Sequence, residues 1–360
     1  MTLRTVIVGL SWIAADPAAP ASDPVLGTAM PFSHASALAA IPEVTVVAGC
    51  DIVPAAREKF LANWGSRWPG VKTYGDYREM ILAEKPDLVC VVTPDHLHHG
   101  VVLTAIEAGT KMIFCEKPLS TSLAEADAMV AATRDAGVTM SVNYTRRWFP
   151  NYCEARRIAR SGEIGTLSQI VAISGGPRAM LWRNHTHLID LMNFLADDEP
   201  EWVVAELERG FEQYGTAYAG DGGNDPATEP GANFYIAYRN GVRAYVTGVK
   251  DTPPGEPTVN LLGPDGRVVI DLLGMRKITF GAGNVRVGGV PIVTEIVEPK
   301  ATVSGMHAAL LDLIASHREG RAPQSPPEVA RRTVAITDAI LLSQQRGNVP
   351  VRLSELTPGR

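Results

Sequence analysis

The sequence predicts an α/β protein of two domains, in which a doubly wound parallel sheet is followed by an α+β domain with a large, mostly antiparallel sheet. Three observations lead to this prediction. The chain has 360 residues, whereas one domain usually holds about 100–200. Its 46% hydrophobic and 20% charged residues are typical of a globular protein with a substantial core. The alternation of apolar runs with helical stretches also stops near residue 145, where hairpin signals begin.

Residues 1–145 are predicted to form a Rossmann-like dinucleotide-binding domain. Short apolar runs typical of buried parallel strands alternate with helical stretches, two of which end in the glycine that commonly closes a helix. The strands are expected at residues 5–10, 44–51, 88–94, 112–118 and 139–144, and the helices at 33–41, 53–65, 98–109 and 123–137. This order predicts helices on both faces of a parallel sheet.

Residues 146–360 are predicted to form the second, α+β domain. A helix at 151–162, a strand at 167–176 and a helix at 186–196 precede a series of strands. The dipeptides Asn240-Gly241 and Asp265-Gly266 are expected to supply the positive φ of tight hairpin turns. Residues 215–231 are expected to be a long mobile loop.

Composition excludes several function classes. The net charge is -6 and no Lys/Arg run is long enough to bind nucleic acid or an acidic membrane. No apolar run approaches the ~20 residues of a membrane helix, and no signal peptide precedes the first strand, so we expect a cytoplasmic protein. The four cysteines are far apart and suit neither zinc nor disulfides. The histidines have no carboxylate or thiolate at ligand spacing, so no metal site is expected.

The first predicted strand ends at Gly9, where a dinucleotide-binding domain turns towards the helix whose N-terminus binds the pyrophosphate. Ser11 stands in place of the second fingerprint glycine, and a Pro- and Ala-rich insert then occupies about residues 11–31. The first helix is expected to start near residues 31–34.

This insert leaves two alternatives open. A longer loop carrying Ser11 and Gly27 would still bind the pyrophosphate, because binding depends on backbone N–H groups rather than on glycine as such. Alternatively the loop would block the site, since Pro31 removes one N–H from the turn that should hold the phosphate.

The second predicted strand ends in Asp51, whose carboxylate would accept hydrogen bonds from an adenosine ribose and repel the 2′-phosphate of NADP. This position favours NAD as the cofactor. The alternative is that Asp51 only caps the helix that follows it.

Three segments of the chain carry a specific likeness to a known family. They are TPDHLHHGVVLTAIEAGTKMIFCEKPLS from residue 93, NYTRRWFP from residue 143 and HTHLIDLMNFL from residue 185. Together they resemble the glucose-fructose oxidoreductase, inositol dehydrogenase and rhizopine catabolism family, called Gfo/Idh/MocA. The likeness runs on to residues 329–353 and so covers most of the chain. Relative to the family, about 17 extra residues separate Gly9 from His34.

The resemblance implies that Lys117 of the Glu-Lys-Pro motif reaches the substrate hydroxyl beside the nicotinamide. It also implies that His187, with Asp190 as its partner, is a helical histidine acting as acid or base. Lys117 and His187 are therefore the catalytic candidates. Cofactor contacts are assigned to Gly9, Ser11, Trp12, Asp51, Ile52, Thr93, Pro94, His98, Glu116 and Lys117, and substrate contacts to Tyr144, Arg147, Arg183, His185 and His187.

Two positions depart from the family pattern. Arg183 stands one helical turn before His187, where many members carry Asp, and His185 stands where the family often has Gly. Because a guanidinium cannot act as a base, either Lys117 and His187 move the proton alone, or Arg183 binds an anionic or polyhydroxylated substrate. For Arg147, contact with sugar hydroxyls and an interdomain salt bridge both remain open.

The resulting hypothesis is an NAD-dependent oxidoreductase that acts on a secondary hydroxyl of a sugar, glycoside or cyclitol. One alternative is a glycosidase or lyase that retains its NAD and oxidises the sugar transiently. Another is a cofactor-free sugar-binding or regulatory relative. The resemblance also implies that residues 146–360 are a substrate-binding and oligomerisation domain, whose C-terminal helical segment packs back on the first domain. A homodimer or homotetramer would form through the sheet of this domain.

Overall fold

A computed structural model describes residues 2–17, 21–22, 29–31, 33–251, 257–271, 274–299 and 301–356. Within these ranges the chain forms two compact units. The first contains the described residues up to Trp148 together with Thr302–Arg331, and the second contains those of Phe149–Ala301 and Arg332–Arg360. No helix of the described ranges is long and apolar enough to cross a membrane.

The first unit contains the predicted parallel sheet. In the described ranges, six strands pair in the order β5-β4-β1-β6-β7-β8, all parallel. They are β1 (Leu3–Val8), β4 (Val44–Cys50), β5 (Lys72–Tyr74), β6 (Leu88–Val91), β7 (Met112–Cys115) and β8 (Thr139–Val142), while β2 (Ala21–Ser22) and β3 (Ala29–Met30) form a separate pair. The helices are α1 (His34–Ala39), α2 (Pro54–Trp64), α3 (Tyr77–Glu84), α4 (His98–Glu107) and α5 (Leu123–Asp135), joined by α8 (Gly305–Glu319).

The strands β6 and β7 lie within the hydrophobic core of the first unit. Every residue of β6 and β7 is buried, as expected for strands covered by helices on both faces. The returning helix α8 contributes Met306, Leu310 and Leu313 to the same cluster as Ile7 and Leu88. The C-terminal part of the chain therefore stabilises the nucleotide-binding fold.

The first helix is interrupted by the insert rather than displaced by it. The N–H of His34 donates to the carbonyl of Ile13 at 2.9 Å, and that of Ala35 donates to the carbonyl of Ala14 at 2.9 Å. Each pair is 21 positions apart (34 − 13 and 35 − 14), whereas an α-helix joins residues four apart. The difference of 17 residues matches the length of the insert. The two ends of the insert are joined by a hydrogen bond of 2.7 Å from the Ser33 hydroxyl to the carbonyl of Asp16.

Helix α1 begins at His34, within the predicted range of residues 31–34, but the phosphate turn lies elsewhere. The turn that should hold the phosphate is Ser11–Ala15, which precedes the insert, and not residues 31–34. The fingerprint therefore reads Gly9-x-Ser11-x-x-Ala14, and alanine is accepted at its third position, which packs helix against strand. Ala14 is fully buried, as that role requires. Gly27 lies outside the described residues, and Pro31 lies outside the turn.

We expect that deleting residues 17–33 leaves the first unit folded, because Asp16 then leads into His34 in the helical register already present. The Tm should change by only a few degrees, since among the described residues the deletion removes hydrogen bonds of Ser33 with Asp16 and Ser36, worth about 1 kcal/mol each. Deleting residues 20–33 instead is the control, because it shifts the register by three residues and should destabilise the unit. Equal melting of the two variants would contradict the continuous helix.

The second unit is built on a mixed sheet of nine strands within the described ranges, in the order β16-β15-β14-β13-β9-β12-β11-β10-β17. Its strands are β9 (Gln169–Gly175), β10 (Pro200–Leu207), β11 (Ala232–Tyr238), β12 (Arg243–Val249), β13 (Thr258–Gly263), β14 (Gly266–Asp271), β15 (Gly274–Val287), β16 (Val290–Val297) and β17 (Val351–Arg352). Neighbouring strands are antiparallel except for β9 and β12, which confirms a large, mostly antiparallel sheet. Helices α6 (Pro150–Ser161) and α7 (Asn184–Ala196) belong to this unit, and α9 (Pro327–Gln345) leads into its C-terminal part.

The two hairpin dipeptides behave differently. Gly241 has φ +91° in the turn between β11 and β12, as expected. At the second hairpin the expectation of a positive φ is wrong, because Gly266 pairs with Gly263 as the first residue of β14. A Cβ at Gly266 would lie 2.4 Å from the carbonyl oxygen of Ile278, so close backbone approach explains this glycine.

The loop 215–231, expected to be mobile, contains a set of hydrogen bonds around one carboxylate. Asp221 accepts bonds from the N–H groups of Gly223, Asn224 and Asp225, and from the hydroxyl of Thr228. These bonds lower the pKa of Asp221, against the opposing effect of burial. The loop therefore has a defined shape close to the start of α7.

Candidate active site

Gly9 sets the path of the chain as it leaves β1. Its φ is +92°, and a Cβ built there would lie 2.4 Å from the carbonyl oxygen of Val92 at the end of β6. Its N–H donates to the carbonyl of Cys50 at 2.8 Å. Only glycine allows this crossing of three strand ends, so the first fingerprint position is intact.

The turn after Gly9 offers backbone donors. Within the described ranges, no hydrogen bond is made by the N–H groups of Ser11 and Ile13, whereas those of Ala14 and Ala15 close the turn. Trp12 has φ +30° and its side chain is 59% exposed. A cleft of about 280 Å³ separates this turn from α2 and is lined partly by Ser11, Trp12 and Lys59.

Asp51 joins the ends of β4 and β1. One carboxylate oxygen accepts the N–H of Leu10 at 2.9 Å and the other accepts the N–H of Val53 at 2.9 Å. Val53 is the N-cap residue of α2 and has no side-chain cap, so Asp51 orders the start of this helix without capping it. A carboxylate has about four acceptor sites, so about two remain that could accept hydrogen bonds from ribose hydroxyls. The adjacent Ile52 is 84% exposed.

His98 clamps two loops at the end of the sheet. It is fully buried, with Nδ1 2.9 Å from the carbonyl oxygen of Pro118 and Nε2 3.0 Å from that of Thr93. Both ring nitrogens face backbone carbonyl oxygens, so His98 positions Thr93 and Pro118, and its contact with the cofactor stays a prediction. The hydroxyl of Thr93 is buried and has no hydrogen-bond partner among the described residues, whereas Pro94 is exposed.

Glu116 is held as a buried anion directly before Lys117. Its Oε1 accepts the amide of Asn143 at 2.6 Å and faces Nε2 of His34 at 2.8 Å. Burial would raise the pKa of Glu116, but the hydrogen bond and charge of His34, the charge of Lys117 and the Asn143 bond together lower it to about 2. A carboxylate only accepts, so Nε2 of His34 carries the hydrogen.

This network fixes the backbone of the Glu-Lys-Pro motif. Oε2 of Glu116 accepts the N–H of Lys117 at 3.3 Å, so the carboxylate is bonded to the motif and to two other segments. Lys117 is half-buried. Since α1 supplies His34 and the segment after β8 supplies Asn143, the position of Lys117 depends on the folded sheet.

The second unit carries its candidates at the start of α7. His187 is half-buried and Asp190 is fully buried one turn later. Arg183 precedes the helix and is 8% exposed, with Nε 3.8 Å from Oε1 of the fully buried Glu229. Its Nη2 donates to the hydroxyl of Tyr218 at 3.4 Å.

His185 is a buried neutral imidazole. Its ring packs edge-on against Phe234 with centroids 6.1 Å apart, and neither nitrogen has a hydrogen-bond partner among the described residues. Burial, and secondarily the charge of Lys250, lowers the pKa of His185 to about 4. The ring fills the space beside Gly248, because a Cβ added at that position would lie 2.0 Å from Nε2 of His185. His185 therefore packs within the second unit, and its role in substrate binding stays a prediction.

His185 should make the protein less stable in mild acid. An unfolded histidine takes up a proton near pH 6.5, whereas folded His185 does so only near pH 4. Between these values the unfolded state binds more protons, so the free energy of unfolding falls by about 3 kcal/mol as the pH decreases. Urea unfolding from pH 7.5 to 4.5 should show a shallower decline in His185→Leu than in the wild type.

The control is His96→Leu, because His96 is exposed and its substitution should leave the slope unchanged. Parallel pH curves for the wild type and His185→Leu would contradict the buried neutral imidazole.

Two family models match this chain. The model described as "Oxidoreductase family, NAD-binding Rossmann fold" matches residues 3–144, and the GFO/IDH/MocA C-terminal domain matches residues 152–269. The chain belongs to the Gfo/Idh/MocA family of oxidoreductases.

Similar proteins in this family include sugar and inositol dehydrogenases. D-apiose dehydrogenase from Paraburkholderia graminis is 28% identical, with 88% of this chain and 85% of that protein covered. Inositol 2-dehydrogenase from Salmonella typhimurium is 27% identical, but the match covers 58% of this chain and only 59% of that protein. The structure of UDP-N-acetylglucosamine 3-dehydrogenase from Acidithiobacillus ferrooxidans has a TM-score of 0.73 at 20% identity, covering 96% and 98% of the two chains, and shows the common fold.

Two further residues assigned from the Gfo/Idh/MocA pattern are buried in the first unit. Tyr144 is completely buried, and its contact with a substrate stays a prediction. Arg147 is 6% exposed and donates to the carbonyl of Gln324 at 3.3 Å, while the Gln324 amide donates to the carbonyl of Arg147. Both residues of this pair lie in the first unit, so the bond anchors the returning C-terminal segment there.

Sequence reasoning missed four residues around the candidates. His34 and Asn143 bond Glu116, while Glu229 and Tyr218 contact Arg183. Tyr218 and Glu229 lie outside the three family-like segments, so position in a motif gave no signal for them, whereas Asn143 opens the segment NYTRRWFP. For His34 the signal was available, because the family spacing places it on the first helix. Among the described residues, no three His, Cys, Asp or Glu side chains are grouped so that they could hold a metal ion.

Proposed function

We propose that this Gfo/Idh/MocA oxidoreductase is NAD-dependent and transfers hydride between nicotinamide and a secondary hydroxyl of a sugar, glycoside or cyclitol. The observation that carries the proposal is the uninterrupted nucleotide turn at Gly9–Ala15, together with the buried Glu116 anion that holds Lys117 at the same sheet edge. Ligands of such open sheets bind outside the carboxyl ends of the strands.

The residues at this edge fit a dinucleotide. The turn after Gly9 supplies backbone N–H groups for a pyrophosphate, and the buried hydroxyl of Thr93 has no other partner among the described residues. Asp51 has acceptor capacity for ribose hydroxyls, and the exposed Ile52 and Trp12 provide apolar surface beside it. When bound, nicotinamide supplies the acceptor or donor for hydride.

Asp51 also supports NAD over NADP. Its carboxylate is fixed by Leu10 and Val53, so it cannot swing away from the ribose position. A 2′-phosphate would place negative charge against this fixed anion, which is unfavourable in a partly buried site.

Lys117 and His187 are the proposed proton carriers. Oxidation of an alcohol removes a proton from its oxygen as well as hydride from its carbon, and a positioned amine or imidazole accelerates that transfer. Lys117 would accept the hydroxyl proton, and His187 would act as acid or base for the same group. Glu116 keeps negative charge next to Lys117 and fixes the backbone that carries it.

The proposal is tested by mixing the protein with NAD and a panel of sugars, glycosides and cyclitols and following NADH absorbance. We expect NADH to form with at least one neutral polyol. We expect no NADPH to form when NADP replaces NAD. Turnover of an aryl glycoside without net NADH would favour the retained-cofactor glycosidase. NAD binding with no reaction on any of these compounds would refute the proposed activity.

We further propose that the protein forms a homodimer or homotetramer through the outer face of the second-unit sheet. Trp202, Tyr235 and Tyr245 form a row across three strands with centroids 5.0 Å apart at each step. Ile173 and Tyr245 on this face are 46% and 41% exposed. Such apolar surface marks association sites, and light scattering of the wild type and Tyr245→Glu would test it.

A further inference from the structure

Arg183 stands where a positive charge would attract an acidic substrate, yet its charge is balanced within the second unit. Its guanidinium Nε lies 3.8 Å from Oε1 of Glu229, and the two side chains are 9% and 0% exposed. We propose that Glu229 determines specificity: it cancels the charge of Arg183 and so restricts the enzyme to uncharged polyols, excluding sugar acids. This inference rests on the proposed function, because it takes the start of α7 as part of the substrate site.

Glu229 is fixed in place by its surroundings. Its Oε2 accepts the N–H of Trp182 at 3.2 Å, and its Oε1 accepts the hydroxyl of Tyr218 at 3.2 Å. Lys250 donates to the carbonyl of Glu229 at 2.6 Å, which holds the backbone of the same residue. The carboxylate therefore cannot turn away from Arg183 when a ligand approaches.

The loop 215–231 is shaped around this pair. A Cβ at Gly220 would lie 2.6 Å from Oε1 of Glu229, and a Cβ at Gly223 would lie 2.1 Å from Nε of Arg183. Only glycine at both positions lets the loop cover the two charged groups. Tyr218 adds a link, because its hydroxyl donates to Glu229 and accepts from Arg183.

The charge balance decides which substrates the site accepts. A buried guanidinium is stabilised by a nearby carboxylate, and here that carboxylate belongs to the protein itself. A substrate carboxylate would place a second anion beside a fully buried one and lose its own hydration. A neutral polyol brings only hydroxyl groups, which leave the Arg183–Glu229 balance unchanged. The neighbouring Lys250 is likewise balanced, since its Nζ lies 2.8 Å from Glu208.

The test is Glu229→Gln, which keeps the size and an oxygen acceptor but removes the charge. Binding of D-glucose and D-glucuronate in the presence of NAD is measured by calorimetry for the wild type and the variant. The wild type should bind glucose at least tenfold more tightly than glucuronate. In Glu229→Gln this ratio should fall at least tenfold, mainly through tighter binding of glucuronate.

Glu201→Gln is the matched control, because it removes the same charge from an exposed pair with Arg352 in the same unit and should leave the ratio within threefold of the wild type. Should Glu229→Gln fail to fold, Arg183→Met/Glu229→Gln provides the second test. Removing both charges should keep the ratio within threefold of the wild type. Loss of more than tenfold in glucuronate affinity in the double variant would overturn the proposal, because Arg183 would then bind the acid directly.

The outcomes separate this inference from the proposed function. Binding of both sugars with an unchanged ratio in Glu229→Gln, or a wild type that prefers glucuronate, would overturn the role of Glu229 alone. Failure of the wild type to bind any neutral compound of the polyol panel would overturn the neutral polyol class and this inference with it.

Discussion

Replacing Lys117 with methionine should reduce kcat by about 10²- to 10⁴-fold, the usual contribution of a positioned acid or base. Methionine keeps the length of the side chain but cannot accept a proton. The Glu116 carboxylate stays bonded to His34 and Asn143, neither of which is altered, so the motif should keep its backbone position. The measurement is steady-state NADH formation with the best substrate of the polyol panel, together with the Kd for NAD.

Lys111→Met is the control for this variant. Lys111 is an exposed residue of the same unit that pairs with Asp87 at 2.9 Å, and such surface pairs contribute at most about 1 kcal/mol. Its kcat should equal that of the wild type. If Lys117→Met kept more than a tenth of the wild-type kcat, the proton would be taken by another group.

Replacing Gly9 with alanine should destabilise the first unit and weaken NAD binding at least tenfold. A left-handed backbone costs a residue with a Cβ about 1–2 kcal/mol. Here the Cβ would also lie 2.4 Å from the carbonyl oxygen of Val92, so the ends of β1 and β6 must separate. That movement would displace the turn whose N–H groups are proposed to bind the pyrophosphate. Thermal unfolding and calorimetry with NAD measure the two effects.

Gly109→Ala separates the two causes. Gly109 also has a positive φ, +79°, but a Cβ there meets no atom within 4 Å. This variant should therefore show only the conformational cost, with NAD affinity unchanged. An equal loss of stability in the two variants would mean that the contact with Val92 has no influence.

Much of the fold follows from the sequence because its signals are local. The strands β6 and β7 are continuous apolar runs, and the dipeptide Asn240-Gly241 forms the turn it indicates. In contrast, β5 spans only Lys72–Tyr74 and is half exposed, so it carries no apolar pattern that periodicity could detect. Gly266 was misread because glycine serves both positive φ and close packing, and only the neighbouring strand distinguishes the two uses.

The candidate site was harder to predict because its contacts join distant segments. The sequence identified Lys117 and Asp51 from their places at strand ends, but gave no indication that His34 and Asn143 meet on Glu116. It also placed the insert within the phosphate turn, because spacing alone cannot show that a helix resumes in register after an excursion. Arg183 was read as a ligand for substrate because its carboxylate partner, Glu229, lies in a loop far along the chain.

The turn Gly9–Ala15 and Asp51 are proposed to form a working NAD site despite the insert. The most direct test is calorimetry of the protein with NAD and with NADP, after a denatured aliquot has been examined for nucleotide retained through purification. We predict that one NAD binds per chain, or is already bound, and that NADP binds at least tenfold more weakly. Absence of binding by both nucleotides to protein that carries neither would contradict this claim and favour a cofactor-free sugar-binding protein.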